Sequence, residues 1–114
     1  MASRPGVVVS KRRGTLDAVH TVVALKGELD SAALNLLVDA FDAAVGRDDT
    51  DVIVDLAEVD FIGAAWLGTI VKSRAVLRAQ HRNLMLRAPS DVARRLLDLC
   101  GLEYLVEPVE IAPG

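Results

Sequence analysis

Hydrophobic positions along the chain switch between a two-residue and a roughly 3.6-residue period, and the switches mark its elements. Val7, Val8 and Val9 read as a short strand, followed by the turn residues of "GTLD" (Gly14 to Asp17). "AVHTVVALKG" then puts Val19, Thr21, Val23 and Leu25 on one face of a second strand, which Gly27 and "ELD" are expected to end. The two strands predict a hairpin. From Asp30 the spacing becomes helical: Leu34, Leu37, Val38, Phe41 and Val45 form one amphipathic stripe. Asp30 or Ser31 is placed to cap that helix, and Gly46 to end it.

"DVIVDL" is a continuous apolar run with a β-branched centre, as in a strand buried on both faces. "DFIGAAWLGT" (Asp60 to Thr69) reads as a strand running into a helix that continues at helical spacing through Leu67, Ile70, Val71 and Ala75. "NLMLRA" is another short strand. Pro89, Ser90 and Asp91 open a third helix whose Val92, Leu96 and Leu99 share a face. Gly101 suits its C′ position, with Leu102 as the accompanying contact. "YLVEPVEI" fits a last short strand or an extended tail. The order is β-β-α-β-α-β-α: an α/β fold in one domain over residues 1–114, with its core at about 7–106. A mixed, mostly parallel sheet of four or five strands follows, with three or more helices and the first strand as an antiparallel edge.

The helix start at Gly63 is unusual. An oxygen-bearing side chain normally caps the first free N–H groups, yet Gly63, Ala64, Ala65 and Trp66 offer none.

Composition narrows the function classes. Apolar residues make up 52% of the chain and aromatics 4%, so the core is aliphatic. The net charge of −3 and the narrow Lys11-Arg12-Arg13 triplet argue against a nucleic-acid partner, which needs a broad basic face. Cys100 is the single cysteine and sits in the apolar run "RRLLDLCGL", where a buried structural thiol is expected. No run approaches the roughly 18 apolar residues of a membrane span, and the N-terminus lacks a signal-peptide core. A soluble cytoplasmic protein with no membrane partner is the expectation.

Catalytic chemistry is not legible. His20 and His81 have no second ligand at metal spacing and read as surface residues. Phosphate-binding glycine loops and nucleophile elbows are missing from the sequence. Asp17, Asp30, Asp55 and Asp60 fall near strand ends, with no nucleophile or base beside them. No enzyme activity, cofactor or metal is expected.

Three segments together carry a more specific signal: "LKGELD", "VIVDLAEVDFIGAAWLGTIV" and "LRAPSDVARRLLDLCGLEYLV". In spacing and order they resemble the STAS domain, and within it the bacterial anti-sigma factor antagonists, from about Val7 to Val106. The resemblance implies a β-α superhelix with a small mixed sheet. It implies partner switching: the antagonist binds an anti-sigma factor that is also a serine kinase, freeing a sigma factor, until phosphorylation of one Ser breaks the complex. That Ser lies in a segment reading Asp-Ser-Ser/Ala-Gly-Leu. Aligned on Phe61, Ile62 and Leu67, Gly63 takes the Asp place, Ala64 the acceptor place, Ala65 the small residue and Trp66 the Gly. Asp30 and Asp55 match acidic positions that the family carries near this turn.

Ala64 can accept no phosphate, so the resemblance implies an antagonist that cannot be switched at the usual place. Ser31, Thr69 and Ser73 are the nearby hydroxyls, and Ser31 is the best substitute acceptor. The expected partner surface comprises Asp30, Ser31, Gly63, Ala64, Ala65, Trp66 and Leu67. Trp66 has two readings, buried against the sheet or projecting outward as an interface anchor. A STAS subunit of an ABC-type lipid transporter or other assembly is the alternative on the same fold. A small-molecule or nucleotide sensor at the helix N-termini is a third. The residues leave homodimer formation open.

Overall fold

The computed structural model describes residues 4–13, 19–45 and 49–107. Eight-residue β1 (Gly6–Arg13) pairs antiparallel with β2 (Val19–Leu29), from Gly6 opposite Lys26 to Arg13 opposite Val19. A 3-10 turn (Ser31–Ala33) leads into α1 (Leu34–Val45). β3 (Asp51–Ile62), α2 (Ala64–Ala79), β4 (Leu84–Arg87) and α3 (Asp91–Leu99) follow, and a second 3-10 turn spans Glu103–Leu105. The sheet runs β1-β2-β3-β4, with β2, β3 and β4 mutually parallel. This is the expected order. The "GTLD" turn and Gly46 lie outside the described residues.

One sheet face carries the core. Thr21 and Val23 of β2 stand beside Val52 and Val54 of β3, which stand beside Leu84 and Leu86 of β4. All six are buried. The apolar ones share a cluster with Leu37 and Phe41 of α1, Trp66, Leu67, Ile70 and Leu77 of α2, and Ala93 and Leu97 of α3. All three helices therefore cover the same face. On the opposite face Val22 and Ile53 lie side by side and are also buried, as expected for the "DVIVDL" run.

Strand bounds differ from expectation at Gly27. β2 does not end there but continues two residues to Leu29. Gly27 sits at φ 83°, and the β2–β3 register shifts on either side of it. A left-handed φ suits glycine at a bulge, so the strand bends and does not stop. β3 likewise runs beyond "DVIVDL" to Ile62, and its second half pairs with β2 past the end of β4. Ser90 closes that gap: its N–H donates to Leu56 O, its hydroxyl donates to Val59 O, and the same oxygen caps α3 by accepting from Ala93 N.

α3 turns a different face inward than its spacing suggests. Ala93 and Leu97 are buried, whereas Val92 and Leu99 are exposed and Leu96 is half-buried. The apolar arc of α3 is wider than the strip that β3 covers, and the helix is rotated so that its small Ala93 meets the sheet. In α2 the same correction replaces exposed Ala75 with buried Leu77. Val38 of α1 and Val19 of β2 are also exposed. Cys100, expected to be buried, is exposed at the C-cap, where the helix has already ended. Gly101 ends α3 as expected: at φ 70° it donates to Asp98 O while Leu102 N donates to Leu97 O, the paired bonds of a Schellman motif. After Leu105, Val106 makes a single parallel bridge to Leu86 and Glu107 pairs with Arg87.

Arg82 is buried to 2% exposure. Its guanidinium donates to Thr50 O, to Ala44 O near the end of α1, and to Gln80 Oε1. This ties three connections together at the end of the sheet where β3 and β4 begin.

Two outcomes check this packing. By chemical denaturation, Leu97→Ala is expected to cost about 2–5 kcal/mol, and Leu99→Ala no more than about 0.5 kcal/mol. Arg82→Ala strands buried carbonyls and is expected to cost about 2 kcal/mol or more.

Candidate functional site

β2 and β3 are parallel, so their C-terminal ends emerge side by side and each feeds a helix. Leu29 is in register with Ile62, and Gly63 N–H donates to Leu29 O at 2.8 Å. The two strand-to-helix connections, Asp30–Ala33 and Gly63–Ala65, thus form adjacent lips of one surface. Open α/β sheets place functional groups at this end.

Gly63 is the N-cap of α2, at φ −80° and ψ 159°, with no side-chain cap bond. Ala64 is therefore the first helical residue and not the cap, so a Ser in its place would present its hydroxyl outward without being the capping group. A glycine cap is only a few tenths of a kcal/mol poorer than Ser, and the bare helix start carries little penalty. Ala64 and Ala65 are exposed and Gly63 is half-buried. On the other lip, Asp30 and Ser31 are exposed. Asp30 has the extended backbone of a cap residue but makes no side-chain cap bond, and Ser31 opens the 3-10 turn. Of the seven expected surface residues, five line the two lips.

Trp66 and Leu67 do not. Trp66 is fully buried and Leu67 is 4% exposed, so neither presents a side chain to a partner. The outward reading of Trp66 is overturned by its position on the second helical residue after Ala64, which points into the core beside Ile70. Its indole Nε1–H donates across the lips to Asp30 O. Asp55 is also displaced from the expected place. It lies mid-strand opposite Ala24 and Arg87, where its carboxylate accepts from Ala57 N at 2.9 Å and supports the bulge.

Phe61 joins the surface without having been singled out. It is 48% exposed, and its ring lies 4.0 Å from where a Cβ on Gly63 would stand. The signal was available: adjacent strand residues face opposite ways, so burying Ile62 turns Phe61 outward. Thr69, half-buried, donates to Ala65 O, and Ser73 is half-buried further along α2. Asp60 and Glu58 are exposed nearby on β3, so the rim is acidic and apolar together. His20 and His81 stand away from this surface, on β2 opposite Arg12 and after α2 respectively. Among the described residues no group of three His, Cys, Asp or Glu could hold a metal, and no helix is long and apolar enough to cross a membrane. The arrangement offers a contact surface with small side chains, one aromatic ring and carboxylates.

A family model described as "Mlab, STAS domain" matches residues 14–107. The anti-sigma-B factor antagonists of Listeria monocytogenes and Listeria innocua are each 26% identical over 91 residues, covering 80% of both chains. Among solved structures, the unphosphorylated anti-sigma factor antagonist SpoIIAA superposes with a TM-score of 0.71 at 20% identity, over 90% of this chain and 89% of that one. An anti-sigma factor antagonist from Mycobacterium paratuberculosis superposes with a TM-score of 0.69 at 23% identity, over 96% and 88%. With its sheet order, its helix-covered face and this match across most of its length, the chain belongs to the STAS domain family.

Proposed function

We propose that this chain is a non-catalytic antagonist of a serine-kinase-type anti-sigma factor, acting in the cytoplasm and releasing a sigma factor by binding its inhibitor. The observation that carries the reading is the start of α2, with glycine-capped backbone at Gly63 and exposed Ala64 and Ala65, in a chain whose curated relatives are named as antagonists. Small residues there let a partner's backbone approach closely. Phe61 takes the anchor role that burial denies to Trp66, since an exposed aromatic ring adds contact area at little entropic cost. Asp30, Ser31 and Asp60 supply the polar rim.

The same surface lacks the usual means of release. A phosphoserine would bring nearly two negative charges to a rim that already holds Asp30 and Asp60. The first turn of a helix accommodates that charge, so the repulsion would fall on the partner. Ala64 has no oxygen to carry it. Binding is thereby insensitive to a kinase at this position. Ser31, exposed on the opposite lip, is the hydroxyl best situated to substitute.

A second reading has one observation in its favour. The matching family model is described by Mlab and not by an antagonist, and a STAS subunit of an ABC-type transporter or another assembly would use the same surface. Fold alone does not separate the two.

An affinity capture from the native cytoplasm decides between them. The native chain is expected to retain an anti-sigma factor, and Ala64→Glu or Phe61→Ala to retain at least about tenfold less of it. Retention of a permease or its ATPase instead favours the transporter reading, and equal capture by all three chains rejects the surface. Incubation with the captured kinase and ATP, followed by mass spectrometry, is expected to label Ala64→Ser at residue 64. Any label on the native chain maps outside Gly63 to Leu67.

A further inference from the structure

The Asp30–Ala33 lip has little of its own to hold it. Asp30, Ser31 and Ala32 are exposed, Ala33 is half-buried against the edge of the core cluster, and the cap residue makes no side-chain bond. Short 3-10 turns have poor hydrogen-bond geometry and are weakly self-supporting. Inside the turn, Ala33 N donates to Asp30 O at 3.2 Å. The same carbonyl accepts the indole Nε1–H of Trp66 at 2.5 Å, from a residue 36 positions away on the other lip's helix. Trp66 is fully buried, among the largest such side chains of the molecule, and packed in the central cluster. Its ring position is therefore set by the core and not by the lip. An N–H donor fixed by packing holds a carbonyl whose own segment touches the core through Ala33 alone.

We propose that Trp66 is the positioning residue of the partner surface. Its buried indole clasps the Asp30 carbonyl and holds the Asp30–Ala33 lip in register with the Gly63–Ala65 lip. The surface is thus arranged before a partner arrives. A partner that met a loosely held lip would have to order it, and affinity would drop by the fraction of molecules in the competent arrangement. The Gly63 N–H to Leu29 O bond fixes where the lips diverge, and the indole fixes the next residue along. This inference rests on the proposed antagonist reading for its consequence, but not for the clasp itself.

Trp66 is the sole tryptophan of the chain, which permits a clean experiment. Replacing tryptophan biosynthetically with 3-benzothienylalanine changes only position 66, keeping the bicyclic shape while sulfur replaces the N–H. Amide hydrogen exchange is measured across Ser31 to Leu34, for the native chain, the isostere and Trp66→Phe. Affinity for the captured anti-sigma factor is measured in parallel. Ile70→Val, which trims the same core without touching the clasp, serves as the control. Loss of the N–H is expected to speed exchange at Ala33 and Leu34 and weaken binding, each by about tenfold, an effect of the size expected for one lost hydrogen bond. Ile70→Val is expected to leave both within about twofold of native once matched for melting temperature. Unchanged exchange in the isostere overturns the clasp. An equal loss of affinity in Ile70→Val overturns the positioning role. If the native chain binds no anti-sigma factor, the antagonist reading fails, while exchange at Ala33 and Leu34 still decides the clasp without any partner.

Discussion

The indole of Trp66 is where the core and the proposed partner surface of this protein meet. A buried N–H requires an acceptor, because an unpaired one costs about 1–3 kcal/mol. The acceptor here is the carbonyl of Asp30, at the root of a turn exposed at Ser31 and Ala32. The parallel pairing of β2 and β3 brings that carbonyl within reach, and packing against Ile70 and the sheet keeps the ring in place. Satisfying one buried polar atom therefore ties the Asp30–Ala33 lip to the helix that begins at the other lip. The surrounding surface can afford small residues such as Ala64 and Ala65 because its shape is fixed from beneath.

The remaining polar burial is placed at the other end of the sheet. Thr21 is fully buried, with its hydroxyl within 2.6 Å of both Lys11 Nζ and Thr50 Oγ1, and Arg82 reaches Thr50 O and Ala44 O. These groups pin the connections that enter β3 and β4, away from the lips. One end of the sheet is thus cross-braced by side chains, while the other is left open for contact. At the open end the two lips are joined by the Gly63 N–H to Leu29 O bond and by the Trp66 indole to Asp30 O bond.

The element order and the helix-covered sheet were legible because strand and helix periods differ sharply in this chain, and because Ser90 and Gly101 carry specific local geometry. What was not legible depended on packing partners. α3 has apolar residues around a broad arc, so spacing offered Val92, Leu96 and Leu99 as readily as Ala93 and Leu97. The choice came from how closely the helix approaches β3. Gly27 looked like a strand end because a bulge and a stop use the same residue. Trp66 was ambiguous for a similar reason: a large amphipathic side chain at a helix start suits either a core or an interface, and only the neighbouring Asp30 carbonyl resolves it. The lips themselves were found from the residues Asp30, Ser31, Gly63, Ala64 and Ala65, whereas Phe61 required knowing which way Ile62 faces.

On the proposed reading, the two neighbouring lips form the partner surface, and Ala64 leaves it without a phosphorylatable residue at that position. The most direct measurement is an amide chemical-shift titration of the isotopically labelled chain with the purified anti-sigma factor. The account predicts that perturbations concentrate at Asp30 to Ala33 and Phe61 to Ala65, with the Trp66 indole signal shifting little. Perturbations confined to the exposed face of α3 at Val92 and Leu99, with the two lips unmoved, would contradict it.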